Sequence, residues 1–376
     1  MCGAPTISLS QMPSDPLVIH TPRGLYCPAG DFYVDAWQGV PRNIVTHAHS
    51  DHARRGSERY LSAKEGVTVL RHRMGADASI DAIEYGGRLN LNGVQVSLHP
   101  AGHVLGSAQV RIEAGGQVWV ISGDYKRQQD PTCAAFELVP CDTFITECTF
   151  GLPVFRWGDP SRVAEDINRW WMANRELSRT SILLAYSLGK AQRVLAGLDA
   201  EIGPILLHGA VHAMTQVYRE SGIELPLAEH ASVESANLHR GRALVIAPPS
   251  AMNSAWARKF APFSSGIASG WMRIRGLRRR RGADRGFVLS DHVDFPALLE
   301  TIEQSGAERV IATHGVTDAL VRLMRERGRE SYAIETQFGG EEEVDLDSPQ
   351  GHVLSAVEGP EDTKGELSLA LDGEEP

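Results

Sequence analysis

The sequence has 376 residues, of which 42% are hydrophobic, enough apolar material for a globular core in two or three domains. It contains no run of about 18 apolar residues and no apolar segment behind a basic start. We therefore expect a cytoplasmic protein without a membrane partner. Five scattered cysteines with no C-x-x-C pair fit a reducing compartment and argue against a disulfide framework.

The net charge of −10 is concentrated at the end of the sequence. Residues 341–376 hold twelve acidic residues and one Lys, so the rest of the chain is close to neutral. We predict an acidic, disordered tail over 341–376. Seven arginines fall within residues 273–285, among them Arg273 and Arg275. Such a cluster on a neutral body predicts contact with a polyanion such as nucleic acid, with a solvated basic loop as the alternative.

The first 150 residues read mainly as strands. Alternating or continuous apolar runs predict strands over 31–37, 42–46, 94–99, 108–112, 117–122 and 143–146, and another around Thr68-Val69-Leu70. The Gly115-Gly116 pair between two of them predicts a hairpin. Few helical periods interrupt residues 90–147, so we expect mostly antiparallel pairing there.

Strands and helices alternate from residue 161 onward. The patterns predict helices over 161–177, 190–198 and 210–221 and strands over 181–186, 204–207 and 242–247. This alternation indicates a parallel α/β unit of roughly 130 residues. The chain then returns to a strand over 287–290, a helix over 295–305, a strand over 309–312 and a helix over 317–327.

One segment, His47-x-His49-x-Asp51-His52, holds four possible metal ligands within six residues, directly after a predicted strand. Residues i and i+2 of a helix lie about 200° apart, so His47 and His49 can face one ion only from a tight loop. Imidazole and carboxylate together suit borderline divalent ions. The segment predicts a metal site, and a polar surface loop without metal is the alternative.

Other potential ligands also follow predicted strands, and the strand ends of a sandwich share one rim. These residues are His103, Asp124, Glu147, His292 and His314. We assign one ion to His47, His49, His103 and Asp124, and a second to Asp51, His52, His314 and Asp124 as the bridge. Zn²⁺ is the expected metal, with Mn²⁺ as the alternative. A water bridging two such ions becomes a nucleophile near neutral pH. Asp51 is predicted to be a catalytic residue as well as a metal ligand.

Two residues of this rim remain for proton transfer. His292 is assigned as the general acid for the leaving alkoxide, with Glu147 as the carboxylate that orients it. Asp35, at the end of its strand, is expected to orient the histidine loop rather than bind metal. Lys190 is a candidate phosphate contact, with a solvated lysine at a helix start as the alternative.

The segment from His47 to His52 resembles the signature of the metallo-β-lactamase superfamily. Three later segments resemble motifs A, B and C of the β-CASP nucleases: Glu147-Cys148-Thr149-Phe150-Gly151, Ser290-Asp291-His292 and Thr313-His314-Gly315. The resemblance implies a four-layer αββα sandwich over 1–151 and 287–340, with an inserted α/β β-CASP domain over 152–286. Because the segment from Tyr186 to Gln192 is similar to the start of that insert, Ser187 is expected, with Lys190, Arg273 and Arg275, to contact substrate.

The whole set is most similar to bacterial exonucleases found beside an ATP-dependent DNA ligase. This resemblance implies a two-metal DNA exonuclease in end processing, with DNA ligase or helicase partners. Two departures keep alternatives open. His314 is typical of the RNA-cleaving branch, and Val293-Asp294 replace the small hydroxyl residues that help to hold a 5′-phosphate, so strand polarity is not predicted. An RNA nuclease is the main alternative, ahead of a small-ester hydrolase or a non-catalytic scaffold.

Overall fold

The structure, a computed structural model, describes residues 16–274, 276 and 282–334. The predicted acidic tail, Arg275 and Arg278 to Arg281 lie outside these residues. Three six- or seven-stranded sheets organise the described chain. The boundaries predicted at residues 151 and 286 remain a prediction.

The first sheet carries the histidine loop. It has six strands in sequential order, with antiparallel pairing at its start and parallel pairing from β3 onward. Its strands are β1 (Ile19–Thr21), β2 (Gly24–Cys27), β3 (Phe32–Val34), β4 (Arg42–Ile44), β5 (Arg59–Ala63) and β6 (Ile80–Ile83).

The second sheet has seven strands in the order β19-β18-β11-β10-β9-β8-β7. Its members are β7 (Arg88–Leu91), β8 (Val94–Pro100), β9 (Ala108–Ala114), β10 (Gln117–Ile121), β11 (Thr143–Cys148), β18 (Arg309–Gly315) and β19 (Glu330–Ala333). Strands β7 to β10 pair antiparallel, as the hairpin pattern predicts, whereas β10, β11, β18 and β19 pair parallel. The strands that end at Asp124, Glu147 and His314 are therefore neighbours.

These two sheets pack face to face and are covered on both outer faces by helices. Apolar side chains of the two inner faces form one buried cluster, which includes Phe32, Ile44, Val96, Val110 and Ile311. The outer face of the second sheet packs on α7 (Phe295–Ser305) and α8 (Thr317–Glu326). The outer face of the first sheet packs on α1 (Val67–Met74) and α4 (Gly209–Glu220). The predicted αββα sandwich is confirmed, with α4 contributed by the inserted unit.

The third sheet is the inserted unit, and all six of its strands are parallel, in the order β14-β13-β15-β12-β16-β17. They are β12 (Thr180–Leu184), β13 (Ile205–Leu207), β14 (Glu229–His230), β15 (Leu244–Ala247), β16 (Phe263–Ala268) and β17 (Arg285–Phe287). The helices of this unit besides α4 are α2 (Pro160–Glu176), α3 (Lys190–Ala196), α5 (Val233–Leu238) and α6 (Ala255–Arg258). Both faces of the sheet are covered at its centre, so the central strands β12, β13 and β15 are buried and mostly apolar.

Two predicted elements differ from the structure. The strand predicted over 287–290 is β17 (Arg285–Phe287), which pairs with β16 in the inserted sheet, and residues 288–290 are not in a strand. Thr68-Val69-Leu70, expected in a strand, belongs to α1, because Val69, Leu70 and Met74 recur at helical spacing and bury one face against the first sheet. Short apolar runs fit either a strand or a buried helix, and here tertiary packing decides. Among the described residues, none of the helices has the length and apolar character needed to cross a bilayer.

Candidate metal centre

The histidine loop leaves β4 at the rim of the sandwich and brings three ring nitrogens together. His47 Nε2 lies 3.1 Å from His49 Nδ1, and His49 Nδ1 lies 3.1 Å from His103 Nε2. Tetrahedral zinc at its usual bond length to nitrogen would place two ligand nitrogens about 3.3 Å apart. The three ring nitrogens therefore have the spacing of one face of a tetrahedral site.

Asp124, three residues after β10, lies between two groups of potential ligands. Its Oδ2 is 3.6 Å from His47 Nε2 and 3.7 Å from His103 Nε2, while its Oδ1 is 3.4 Å from His52 Nε2. Each carboxylate oxygen thus faces a different group. A carboxylate placed in this way could be shared between the two groups.

Asp51, His52 and His314 form the second group, with ligand atoms within 4.8 Å of one another. His52 Nε2 lies 3.6 Å from Asp51 Oδ2, and the rings of His52 and His314 stack with centroids 5.2 Å apart. The structure therefore brings together all seven residues assigned to the two ions. They are His47, His49, Asp51, His52, His103, Asp124 and His314.

A bulge at the end of β18 directs His314 into the centre. The pairing of β11 with β18 shifts between Glu147 and Cys148, which face Thr313 and Gly315, so His314 is the additional residue. It adopts a left-handed backbone with φ of 53°. Gly315 follows with φ of 79°, and a Cβ there would lie 2.3 Å from the Cys148 carbonyl oxygen. Only glycine fits at that position, so the backbone requires the glycine that follows His314.

Asp35 fixes the histidine loop through three hydrogen bonds. Its Oδ1 accepts the Thr46 backbone N–H at 2.8 Å, and its Oδ2 accepts the Thr46 hydroxyl at 2.6 Å and His52 Nδ1–H at 2.7 Å. Because the Thr46 hydroxyl donates to Asp35, it accepts from His47 Nδ1 at 3.1 Å. Both rings therefore present Nε2 to Asp124, the tautomer that a metal ligand needs.

The polar atoms of this centre fit a cation. His52 Nε2 is buried without a hydrogen-bond partner, which is costly unless another group occupies its lone pair. Burial lowers the pKa of His47, His49, His103 and His314, so these rings stay neutral and can bind metal. Burial opposes charge on His52 as well, but Asp124, Asp51 and Asp35 raise its pKa well above the usual value. That excess negative charge is what divalent ions would neutralise.

Glu147 and His292 form a buried pair beside Asp124. Glu147 Oε2 accepts His292 Nδ1–H at 2.8 Å, and His292 Nδ1 is 3.8 Å from Asp124 Oδ2. Glu147 also accepts the Tyr125 backbone N–H at 2.8 Å and the Thr149 hydroxyl at 2.7 Å. With these oxygens engaged by the protein, Glu147 is placed to orient His292 rather than to bind an ion. Burial raises the pKa of Glu147.

The segment after His292 is fixed by the chain itself. Trp157 Nε1–H donates to the His292 carbonyl at 2.8 Å. Asp294 caps α7 by accepting the Ala297 N–H at 3.1 Å, and its other oxygen accepts the Trp157 N–H at 2.9 Å. Both carboxylate oxygens of Asp294 thus accept hydrogen bonds from backbone N–H groups.

The predicted substrate contacts lie in different surroundings. Lys190 begins α3 but is buried, 3.9 Å from Asp291 Oδ2 and over the Tyr186 ring at 4.3 Å, so the solvated alternative is wrong. Ser187 is half-buried in the loop before α3. Arg273 is exposed, and its Nε–H donates to the Val154 carbonyl at 3.3 Å. Arg275 lies outside the described residues.

A group of charged residues next to the centre was not predicted from the sequence. Lys126, Asp130, Arg193 and Asp291 are all buried, and each has an ion-pair partner within 4 Å in this group. They carry no ligand-like spacing in sequence. One pattern could have revealed Arg193. It is a charged residue on the buried side of α3, close in sequence to Ala191 and Val194.

Comparison with known proteins places this centre in a family. A protein of Opitutus terrae named Probable DNA ligase is 32% identical over 83% of this chain. Endoribonuclease YSH1 of Candida albicans is 23% identical over 65% of the chain, and that of Yarrowia lipolytica is 30% identical over 30% of it. The chain belongs to the β-CASP branch of the metallo-β-lactamase superfamily. The resemblance inferred from the motifs is thereby confirmed.

The likeness has limits in length and identity. This β-CASP chain spans 30% of the Opitutus protein and 34% of the Candida protein. A solved structure titled as a protein of unknown function from Enterococcus faecalis V583 aligns over 78% of both chains, with a TM-score of 0.51 and 13% identity. That likeness concerns the fold alone. No family model matches the chain.

Proposed function

We propose that the chain is a metal-dependent nuclease that hydrolyses phosphodiester bonds at DNA ends. The observation that carries this proposal is the pair of ligand groups sharing Asp124, with the His292–Glu147 pair beside it. A nucleic-acid substrate is supported by relatives named for a DNA ligase and for endoribonucleases. DNA is favoured because the relative that aligns over the larger share of this chain is the one named for a DNA ligase.

The ligand residues hold two divalent ions in this proposal, with zinc as the expected metal. His47, His49 and His103 bind one ion and Asp51, His52 and His314 the other, with Asp124 shared. Such a pair activates a water for attack on phosphorus and stabilises charge on the phosphoryl oxygens. The contribution of the chain is to keep the imidazoles neutral and correctly oriented, which burial and the Asp35–Thr46 contacts accomplish.

His292 supplies the proton for the leaving oxygen in this proposal. Its Nδ1 is committed to Glu147, so Nε2 is the nitrogen assigned to proton transfer. The Glu147 carboxylate fixes the ring and stabilises its charged form, and Trp157 holds the backbone of His292 in place. General acid catalysis by a positioned imidazole typically contributes a factor of about 10²–10⁴.

RNA cleavage is the second candidate, and specific observations favour it. His314 completes the second ligand group, and such a histidine at motif C resembles the RNA-cleaving branch. Several relatives are named endoribonucleases. A DNA ligase or helicase partner belongs to the first candidate only. The relative named for a ligase is much longer than this chain, which spans less than a third of it.

A strand-resolved cleavage assay tests the proposal. Matched DNA and RNA oligonucleotides, labelled at either end, are incubated with protein reconstituted with Zn²⁺ or Mn²⁺. We expect stepwise shortening of DNA, with the label lost first giving the polarity. A His292→Gln variant should keep its metal and lose about 10²–10⁴-fold in rate. Internal cuts in RNA with intact DNA would favour the second candidate, and no cleavage of either substrate by the two-ion protein would contradict both.

A further inference from the structure

The two ion sites are oriented by different parts of the chain. His52, in the second site, is held by the sandwich through Asp35. In the first site, His49 Nε2–H donates to the Leu188 carbonyl at 3.2 Å, and His103 Nδ1–H donates to the Asp291 carbonyl at 2.7 Å. A carbonyl can only accept, so each contact leaves the other ring nitrogen as the ligand atom. Two of the three imidazoles of the first site thus depend on backbone carbonyls.

The Leu188 carbonyl is supplied by the inserted unit. Leu188 lies in the loop between β12 and α3, and its side chain is buried in the cluster that includes Val69, Leu70 and Tyr218. Gly189 follows with φ of 86°, and a Cβ there would lie 2.3 Å from Val104 Cγ1. The loop therefore lies directly against the residue that follows His103. A small displacement of the insert would change both the His49 contact and the packing of Val104.

The Asp291 carbonyl is fixed through its own carboxylate, which insert and sandwich hold together. Arg193 Nη1–H donates to Asp291 Oδ1 at 3.1 Å, and Lys190 Nζ lies 3.9 Å from Asp291 Oδ2. From the sandwich, Lys126 Nζ lies 3.8 Å from Asp291 and 2.6 Å from Asp130. Arg193 Nη1 also donates to the Ser290 carbonyl.

These five buried charges, three cations and two carboxylates, cost desolvation free energy that well-packed apolar residues would not cost. Their retention therefore needs a reason other than stability. Apart from the Lys126–Asp130 pair within the sandwich, every contact among them either joins α3 of the insert to the sandwich or holds the segment that carries Asp291 and His292. Buried ionic groups are best attested where they fix one arrangement against alternatives.

We propose that Lys190 and Arg193 are positioning residues through which the docked insert orients His49 and His103. Occupancy of the first ion site then depends on insert docking, whereas the second site depends on Asp35. This inference rests on the two-ion centre of the proposed function. It gives Lys190 a role inside the protein rather than on the substrate.

Metal affinity tests the proposal without a nuclease assay. Full-length Lys190→Met and Arg193→Met proteins are loaded with Zn²⁺ and titrated with a competing chelator. We expect one ion to weaken about 10–100-fold, the usual effect of losing a residue that orients a ligand, while the other stays at its wild-type affinity. Equal weakening of both ions, or of neither, would overturn the proposal. Wild-type protein that binds fewer than two ions would instead contradict the proposed function.

Ligand variants identify which ion is weakened. In a His52→Ala background, where the first site remains, adding Lys190→Met should weaken the remaining ion. In a His49→Ala background, where the second site remains, the same addition should have no effect. The reverse pattern would show that the insert acts on the wrong site for this proposal.

Two further variants separate positioning from general destabilisation. Arg329→Met removes a partly buried arginine that pairs with Glu303 at 2.9 Å on the far side of the second sheet. It should lower the melting temperature and leave both ions in place. Gly189→Ala displaces the loop without removing a charge, and it should weaken the first ion as Lys190→Met does. If Arg329→Met releases an ion, or Gly189→Ala releases none, the proposal fails.

Discussion

The sandwich and the inserted sheet contribute to one centre in different ways. The sandwich provides every ligand side chain, each at or just beyond a strand end on one rim. The insert provides the Leu188 carbonyl and the cations that fix Asp291, and none of its residues is a ligand in the groups found within the described residues. The difference teaches that identity and orientation of ligands can come from separate folding units. An inserted unit can orient the side chains of a metal site without contributing a ligand.

Asp124 is the residue common to both sites, and its removal should have the largest effect. Asp124→Asn leaves one neutral oxygen where two charged ones face His47 and His52. We expect loss of tight binding of both ions and a fall in nuclease rate of about 1,000-fold or more, since bound ions contribute several kcal/mol to such reactions.

Metal content by mass spectrometry and the cleavage rate measure this effect. Asp81→Asn is the matched control, because Asp81 is an exposed partner of Arg59 on the first sheet. Retention of one tightly bound ion in Asp124→Asn would show that the two sites are independent. The sandwich and the insert would then support two separate centres.

Asp35→Asn should have an intermediate effect that is larger at the second site, where Asp35 contacts His52 directly, than at the first, where it acts on His47 through Thr46. The amide cannot accept three hydrogen bonds as the carboxylate does, so His52 loses its fixed orientation. We expect the second ion to weaken about 10–100-fold and the first ion to weaken by less. Asp31→Asn is the control, an exposed acid with the same left-handed backbone on the same sheet. Weakening of the first ion alone would reverse the assignment of the two regions.

Thiol labelling gives the smallest effect and reports directly on insert docking. Burial raises the pKa of Cys133 to about 12, and this half-buried thiol lies beside Gly102, its Sγ 3.5 Å from that carbonyl. A pKa above the usual 9.0 keeps the thiol protonated and unreactive at pH 8, with reactivity rising only as pH approaches 12. Cys133 lines a cavity together with Ser221 and Ile223 of the insert. Loosening the insert by Lys190→Met should therefore reduce the burial of this thiol, lower its pKa and speed labelling at pH 8 several-fold.

Cys141 is the internal reference for that measurement. Burial raises its pKa to about 12 as well, but it packs in the cluster between the second sheet and α7, away from the insert. Peptide mass spectrometry after timed alkylation follows both thiols in one sample. Parallel acceleration of Cys133 and Cys141 would indicate global loosening, and unchanged labelling of Cys133 would show that Lys190 does not hold the insert.

The sequence predicted which residues converge at the centre because they are close in sequence or lie at recognisable strand ends. His47 to His52 needed only their spacing, and Asp124 needed only the hairpin before it. The same reasoning failed where packing on another element decides. The segment around Val69 is a helix because it covers the first sheet, and Lys190 is buried because α3 packs against the segment that carries Asp291. A local pattern contains no information about which distant surface will cover it.

The sequence by itself determined which groups are available: imidazoles and carboxylates after strands, alternating α/β patterning in the insert, and the motifs of its family. Only the tertiary structure decided how these groups are aimed. The bulge that turns His314 inward, the carbonyls that select the ring tautomers of His49 and His103, and the burial of Lys190 arise between segments far apart in the chain. Ligand identity is a property of side chains, whereas ligand orientation is a property of their neighbours.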